Sequence, residues 1–160
     1  MLGKLILQVR QSVKHSTLIT KLPPIISDVQ KVARVAEDSG SDALSLINTV
    51  PGMVIDTETW RPKLANITGG LSGPAIRPIA VRMVWEASQA VKIPVIGIGG
   101  IMNASDAIEF MLAGATAVQV GTGNFSNPTV TVEIIDGIRQ YLERKGIQNV
   151  MNIIGGVRGR

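Results

Sequence analysis

An α/β fold of parallel strands, each followed by a helix, is what the sequence predicts. Three observations carry that prediction. Short β-branched runs, such as PVIGIGG at 94–100 and AVQVGTG at 117–123, are apolar on both faces, as suits strands buried on both sides of a parallel sheet. Each of these two runs stops at glycine, and a helix-patterned segment follows it. The strand–turn–helix unit recurs four times, with one orphan helix ahead of the first strand. Four units make half of a (β/α)8 barrel, which in full needs roughly 200 residues or more. The chain has 160 residues and reads as a single partial domain, 1–160, with four parallel strands and the helices outside.

The elements follow in order. Residues 2–16 have a helical apolar stripe of Leu2, Leu5, Ile6, Val9 and Val13. TLITKL at 17–22 is the first strand, ended by Pro23-Pro24. Ser27 with Gln30 fits a capping box, Val29, Val32, Ala33 and Ala36 form the buried stripe, and Gly40 suits the helix end. ALSLI at 43–47 is the second strand, ending in Asn48-Thr49.

Residues 50–73 are far longer than the usual ~2–6-residue βα loop, so they are expected to cover the active-site mouth. Within them MVIDTETWRP predicts a small hairpin turning at Asp56 to Thr59. After Pro74 and Pro78 a helix runs to about Val91, with Ala80, Met83, Val84, Ala87 and Val91 on one side. Asn103 caps the next helix, Asp106 sits in its first turn, and Gly114 closes it. Asn127-Pro128 opens the last long helix, with Ile134, Ile135, Ile138, Tyr141 and Leu142 inward and Gly146 at its end. The tail at 149–160 adds a helical turn or two.

Composition narrows the function. The chain is 45% hydrophobic and 18% charged, which is ordinary for a soluble protein. There is no cysteine, so disulfides, cysteine-bound zinc and cysteine nucleophiles are excluded within it, and a reducing cytoplasm is compatible. A net charge of +4 is spread out and aromatics are only 3%, so no stacking platform for nucleic acid is visible. No run approaches the ~20 apolar residues of a membrane span, and the opening MLGKLILQV lacks the features of a signal peptide. Neither nucleic acid nor membrane is an expected partner.

The two glycine-ended strands are the sharpest signal. Glycine lets backbone N–H groups approach an anion, and the next helix adds its positive end. In (β/α)8 barrels a phosphate often sits in the loops after strands seven and eight. Gly99-Gly100 and Gly121-Thr122 therefore read as a phosphate clamp. A dinucleotide site fits less well, because GIGGIM lacks the third glycine of G-x-G-x-x-G and no acid follows to hold a ribose.

Lys21, at the first strand's end, is either a snorkelling lysine or a fixed positive charge beside a cofactor or anionic substrate. Asn48 and Thr49 share that face, and an amide there can donate to and accept from an imide substrate. Gly69 to Gly73 reads as a flexible, backbone-rich loop at the same mouth. His15 reads as a surface residue. Trp60 reads as a hairpin cap and Trp85 as helix packing. Met53, Met83, Met102 and Met111 read as fillers. No metal site is expected.

The run INTVPGMVIDTETWRPKLANITGGLSGPAIRPIAVRMV, followed by PVIGIGGIMNASDAIEFMLAGATAVQVGTGNFSNP, resembles the dihydroorotate dehydrogenases of class 1B. The resemblance runs from about Leu18 to Gly146 and rests on the order and spacing of NT, GM, ID, LAN, GGLSGPAI, GIGG and VGTGNF. It implies an FMN-dependent barrel of pyrimidine biosynthesis that oxidises dihydroorotate to orotate, and it implies that this chain is the C-terminal half. By position, Lys21, Ile47, Gly73, Gly99, Gly100, Gly121 and Thr122 resemble the family's FMN-binding residues, and Asn48 and Thr49 its substrate-binding pair.

The resemblance also implies an iron–sulfur, FAD-bearing electron-transfer subunit as partner. It places the catalytic base, a cysteine, in the N-terminal half, so no catalytic residue is expected here. One departure stands out: after Lys21 the family usually reads Leu-Ser-Pro-Asn, whereas this chain has Leu22-Pro23-Pro24-Ile25. Either the missing half-barrel or a second copy would complete the sheet. The rival readings are another FMN- or phosphate-binding barrel, of dihydropyrimidine or dihydrouridine chemistry, and a non-catalytic half-barrel.

Overall fold

A computed structural model describes residues 1–158. Gly159 and Arg160, the end of the predicted tail helix, lie outside the described residues. Four parallel strands form the main sheet: β1 (Ile19–Leu22), β2 (Ala43–Leu46), β7 (Val95–Ile98) and β8 (Ala117–Gln119), side by side in that order. The expected α/β half-barrel architecture is therefore present.

All the long helices pack on one side. α1 (Leu2–Ser12) lies on α2 (Val29–Asp38), α2 on α3 (Arg77–Ser88), α3 on α4 (Ala104–Leu112), and α4 on α6 (Val130–Lys145). The register explains the two faces of the sheet. Leu44 pairs with Val95, and Leu46 with Gly97, on the helix side, where they are buried with Val84 and Phe110. Lys21 pairs with Ser45, Ser45 with Ile96, and Ile98 with Gln119, on the side that no helix covers. That second face corresponds to a barrel interior, and Ser45 donates across it to Gln119 at 3.4 Å.

Strand order leaves β1 and β8 paired on one side only. Ile19 is about half exposed, and Gln119 is exposed on the open face. Unpaired strand edges template association. The isolated chain is therefore expected to self-associate or aggregate, or to bind a complementary half-barrel. A sharply monomeric species in analytical ultracentrifugation that also unfolds cooperatively in calorimetry would contradict this.

Several local readings shift. α1 stops at Ser12, short of the predicted residue 16, because the Arg10 guanidinium gathers the carbonyls of Val13 and Ser16 outside the helix. Arg10 also donates to Gly40 O at 2.8 Å and pairs with Asp42, anchoring the orphan helix to the α2–β2 turn. The Leu18 amide and the Arg10 guanidinium together hold the Asp42 carboxyl below the usual carboxylate range. The cap of α2 is Asp28, not Ser27: its extended backbone aims the carboxylate at Lys31 N, 2.9 Å away. α3 ends at Ser88 rather than Val91, with Ala80, Met83, Val84 and Ala87 buried as expected. In α6, Val130, Ile134, Ile138, Tyr141 and Leu142 follow one stripe, while Ile135 lies one residue off it and is exposed.

The long 50–73 segment is more ordered than a loop. The predicted hairpin is present: β4 (Ile55–Asp56) pairs with β5 (Arg61–Pro62). Asp56 Oδ1 accepts from the amides of Glu58 and Thr59 at 3.0 and 2.9 Å, which closes the turn. Those two amides, Thr59 first, keep the Asp56 carboxyl acidic. Trp60, expected to cap the hairpin, is instead almost fully exposed and in the left-handed region.

Around the hairpin a second ribbon forms, with β3 (Val50–Met53) antiparallel to β6 (Thr68–Leu71). Gly69 and Gly70 are thus strand residues rather than part of a flexible loop. A Cβ on Gly70 would sit 2.2 Å from Thr49 Oγ1, so the ribbon can lie on Thr49 only with glycine there. Among the described residues no helix is long and apolar enough to cross a membrane, and no cluster of three metal-ligating side chains occurs.

Candidate functional site

The strand ends of the main sheet converge on one cleft. Lys21 comes from β1, and Ile47, Asn48 and Thr49 leave β2. Gly73 follows β6, Gly99 and Gly100 follow β7, and Gly121 and Thr122 follow β8; all nine line the same cleft. The topology makes this convergence: in an all-parallel sheet every C-terminal end lies on one edge, where sites in such folds form. The cleft encloses about 130 Å³. That is below the ~300–1,000 Å³ of pockets that bury most of a drug-sized ligand, so these residues form part of a wall rather than a whole site.

The glycine turns have the geometry of an anion cradle. Gly99 and Gly100 have φ of 138° and 74°, a region that strongly favours glycine. Gly100 is wedged: a Cβ there would lie 2.6 Å from Gly73 O and 2.9 Å from Arg77 Cβ. Gly121 and Gly73 differ, since a Cβ on either would meet no atom within 4 Å. Among the described residues, the amides of Gly100, Gly121, Thr122 and Gly123 have no acceptor among the turn, loop and cap hydrogen bonds, whereas Gly99 continues the β7–β8 ladder beyond the Ile98–Gln119 pair. Backbone N–H groups at a cleft, without acceptors of their own, are what a phosphate requires. The residues present therefore fit a phosphate group.

The helix that follows the first turn does not contribute as expected. Asn103 Oδ1 accepts from Asp106 N at 3.0 Å, and Asp106 Oδ2 accepts from Met102 N at 2.9 Å. The N-terminus of α4 is therefore capped by its own side chains, one of them an acid. The cradle is the turn itself, with the short α5 (Gly123–Ser126) behind Thr122.

The side chains around the cleft are unevenly engaged. Lys21 is exposed and forms no ion pair among the described residues. Asn48 Oδ1 accepts from Thr49 N at 2.9 Å, which leaves the amide its Nδ2 donors and a second lone pair on Oδ1. Ile47 is buried at the strand end and Thr49 is exposed beside Gly70.

Six more residues line the cleft: Ser72, which the sequence places in the loop at the mouth, Gly123, which ends the clamp run, Met102, which reads as a filler, and Ile76, Ile98 and Ile101, which the sequence does not single out. Thr122 Oγ1 donates to Ser72 Oγ at 2.8 Å, joining the end of the ribbon to the turn after β8. A lone hydroxyl in a glycine-rich run is the only signal that could have pointed to Ser72.

A larger groove of about 860 Å³ lies between α3 and α4, lined by Trp85, Leu112 and Tyr141 among others. It is away from the strand ends, and its Arg77, Asp106 and Glu109 already pair with one another, so it is not the candidate site.

Known proteins share the sequence and fold of this chain. The family model described as Dihydroorotate dehydrogenase matches residues 1–142. The Dihydroorotate dehydrogenase B (NAD(+)), catalytic subunit, of Bacteroides fragilis is 55% identical over 152 residues, covering 95% of this chain and 50% of the relative. Its counterpart from Geotalea uraniireducens is 59% identical over 148 residues, covering 91% of this chain and 48% of the relative. The crystal structure of DHODH from Eimeria tenella in complex with ferulenol superposes with a TM-score of 0.81 at 25% identity, covering 97% of this chain and 47% of that one. The chain thus spans about half the length of the curated relatives it matches. With strand order, strand-end glycines and family model in agreement, the chain belongs to the dihydroorotate dehydrogenase family.

Proposed function

We propose that this chain forms the C-terminal half of an FMN-dependent dihydroorotate dehydrogenase, supplying the phosphate cradle and part of the substrate wall. The observation that carries the reading is the single cleft that gathers Lys21, Asn48, Thr49 and the four clamp residues Gly99, Gly100, Gly121 and Thr122. FMN, when bound, supplies the hydride acceptor for the oxidation of dihydroorotate to orotate. The chain's own residues then have distinct tasks. The glycine-turn amides hold the phosphate, and Gly73 leaves open space for close approach. Lys21 places a positive charge at the mouth, where it favours negative charge on the cofactor or substrate. Asn48 Nδ2 donates to a substrate carbonyl, and the exposed Thr49 side chain, beside Gly70, shapes the pocket next to it.

The proton lost from carbon falls to a base on the complementary half-barrel, and electrons leave through a partner subunit carrying iron–sulfur and FAD groups. The relatives' names, a catalytic subunit using NAD(+), support such a partner, and a cytoplasmic location belongs to the same reading. A complementary half fits the open sheet better than a second copy. Five long helices flank four strands, α1 next to α2 at one end and α6 next to α4 at the other. Two copies would bring ten long helices to a barrel that seats eight, with α1 of one and α6 of the other at the same seam.

The test is a titration of orotate into the chain with FMN and the complementary half. A saturable shift of the flavin absorption spectrum is expected. A shift with dihydrouracil or dihydrouridine and none with orotate would move the assignment to another flavin barrel.

A further inference from the structure

The glycine turn after β7 is braced from behind by a charge pair that faces away from the strand-end cleft. We infer that Asp106 is a positioning residue for the phosphate cradle, locking the turn at Gly99–Met102 in its anion-binding shape. Its carboxylate is 7% exposed and spans two elements. Oδ2 accepts from Met102 N at 2.9 Å, fixing the last residue of the turn. Oδ1 takes the Arg77 guanidinium from the first residue of α3. Arg77 Nε also reaches Glu109 Oε2 at 3.1 Å, so the guanidinium is shared between two acids of α4.

The same Arg77 bears on the turn directly. Its Cβ and amide nitrogen lie 2.9 and 3.1 Å from where a Gly100 Cβ would be, and Gly73 O is nearer still. Gly100 is therefore pressed against the start of α3, while Met102, two residues on, is tied to α4. The Arg77–Asp106 pair holds those two elements together across the turn. With both ends fixed, the Gly100 amide, which has no acceptor among the turn and loop hydrogen bonds, is held in one orientation at the cleft wall.

A second consequence follows from charge. Arg77 lies against the turn at Gly100, yet its charge is drawn to Asp106 and Glu109 of α4 and neutralised there. The phosphate is then recognised by oriented backbone dipoles rather than by a neighbouring guanidinium. Such a cradle depends on the angle of its N–H groups, so loosening the brace acts on phosphate recognition and leaves recognition of the ring system alone.

This inference rests on the flavin reading, and the experiment separates the two. FMN and riboflavin, which lacks the phosphate, are titrated by flavin fluorescence against the chain paired with its complementary half, and against the Asp106→Ala and Asp106→Asn variants paired in the same way, with thermal unfolding in parallel. The parent is expected to prefer FMN. Asp106→Ala is expected to reduce the FMN-over-riboflavin affinity ratio by about tenfold, with riboflavin affinity little changed. Asp106→Asn keeps an oxygen for Met102 N but turns Nδ2 against the Arg77 guanidinium, and is expected to give a ratio between those of the parent and Asp106→Ala. A general loss of fold would lower both affinities together and leave the ratio in place, as would a merely structural role; an unchanged ratio in Asp106→Ala overturns the inference alone. A parent that binds neither flavin, or both equally, overturns the phosphate reading and the inference with it.

Discussion

Dihydroorotate oxidation by the 160-residue chain with saturating FMN is expected to run at least 100-fold below that of a full-length relative. A positioned base contributes ~10²–10⁴-fold to such a proton abstraction. The groups that line the cleft are Lys21, Asn48, Thr49, Ser72, Thr122, glycine backbone and apolar side chains. Asn48 is a neutral amide with no basic atom. The hydroxyl of Thr122 is spent on Ser72, and no acceptor among the described residues takes the Thr49 hydroxyl as a base would. His15, the only histidine, lies ahead of β1 and is exposed, away from the cleft.

Closure adds to the deficit. The cleft is about 130 Å³ and the sheet face beside it has no cover, so water is not excluded from the reacting atoms. Adding the N-terminal half of the Bacteroides fragilis relative in trans is expected to restore turnover by at least tenfold. Dye reduction with dihydroorotate is the assay. A rate for the chain alone within about tenfold of the full-length enzyme would mean that the base lies among these residues.

What the sequence made legible follows from which interactions are local. The strands at 43–46 and 95–98 are apolar runs, the first buried throughout and the second buried on its helix side, so their composition alone marks them, and the glycines after β7 and β8 mark where the chain must turn toward a ligand. The hairpin was legible because Asp56 closes its turn with amides two and three residues on. The β3–β6 ribbon was not, because its strands are separated by the whole hairpin and Gly69-Gly70 carry no strand signal. Their place is set by the approach of Gly70 to Thr49, a tertiary contact.

The same distinction holds at the site. Asn103 and Asp106 were legible as a helix start, but the consequence was not. Their side chains consume the helix end that was expected to face the phosphate, and only coordinates reveal that Asp106 also ties down Met102 and Arg77. Ser72 became a site residue through a hydroxyl 50 positions away.

The two glycines of the clamp are expected to respond differently to the same substitution. Gly121→Val should leave the fold near that of the parent. No atom lies within 4 Å of its Cβ position, and its backbone is outside the left-handed region. The added side chain instead enters the space in front of the Gly121 and Thr122 amides, where the phosphate would sit. FMN affinity is expected to fall by about tenfold or more, which is ~1.4 kcal/mol. Gly100→Val meets the opposite conditions. Its φ of 74° is strained for a β-branched residue, and the Cβ would be driven against Gly73 O at 2.6 Å. Strain of that kind costs on the order of 1–3 kcal/mol, and the backbone clash adds to it. Gly100→Val is therefore expected to lower the unfolding temperature before any ligand is added. FMN titration and thermal unfolding of both variants, read side by side, separate the two roles. An unchanged FMN affinity in a well-folded Gly121→Val would show that the phosphate does not lie between the turns after β7 and β8.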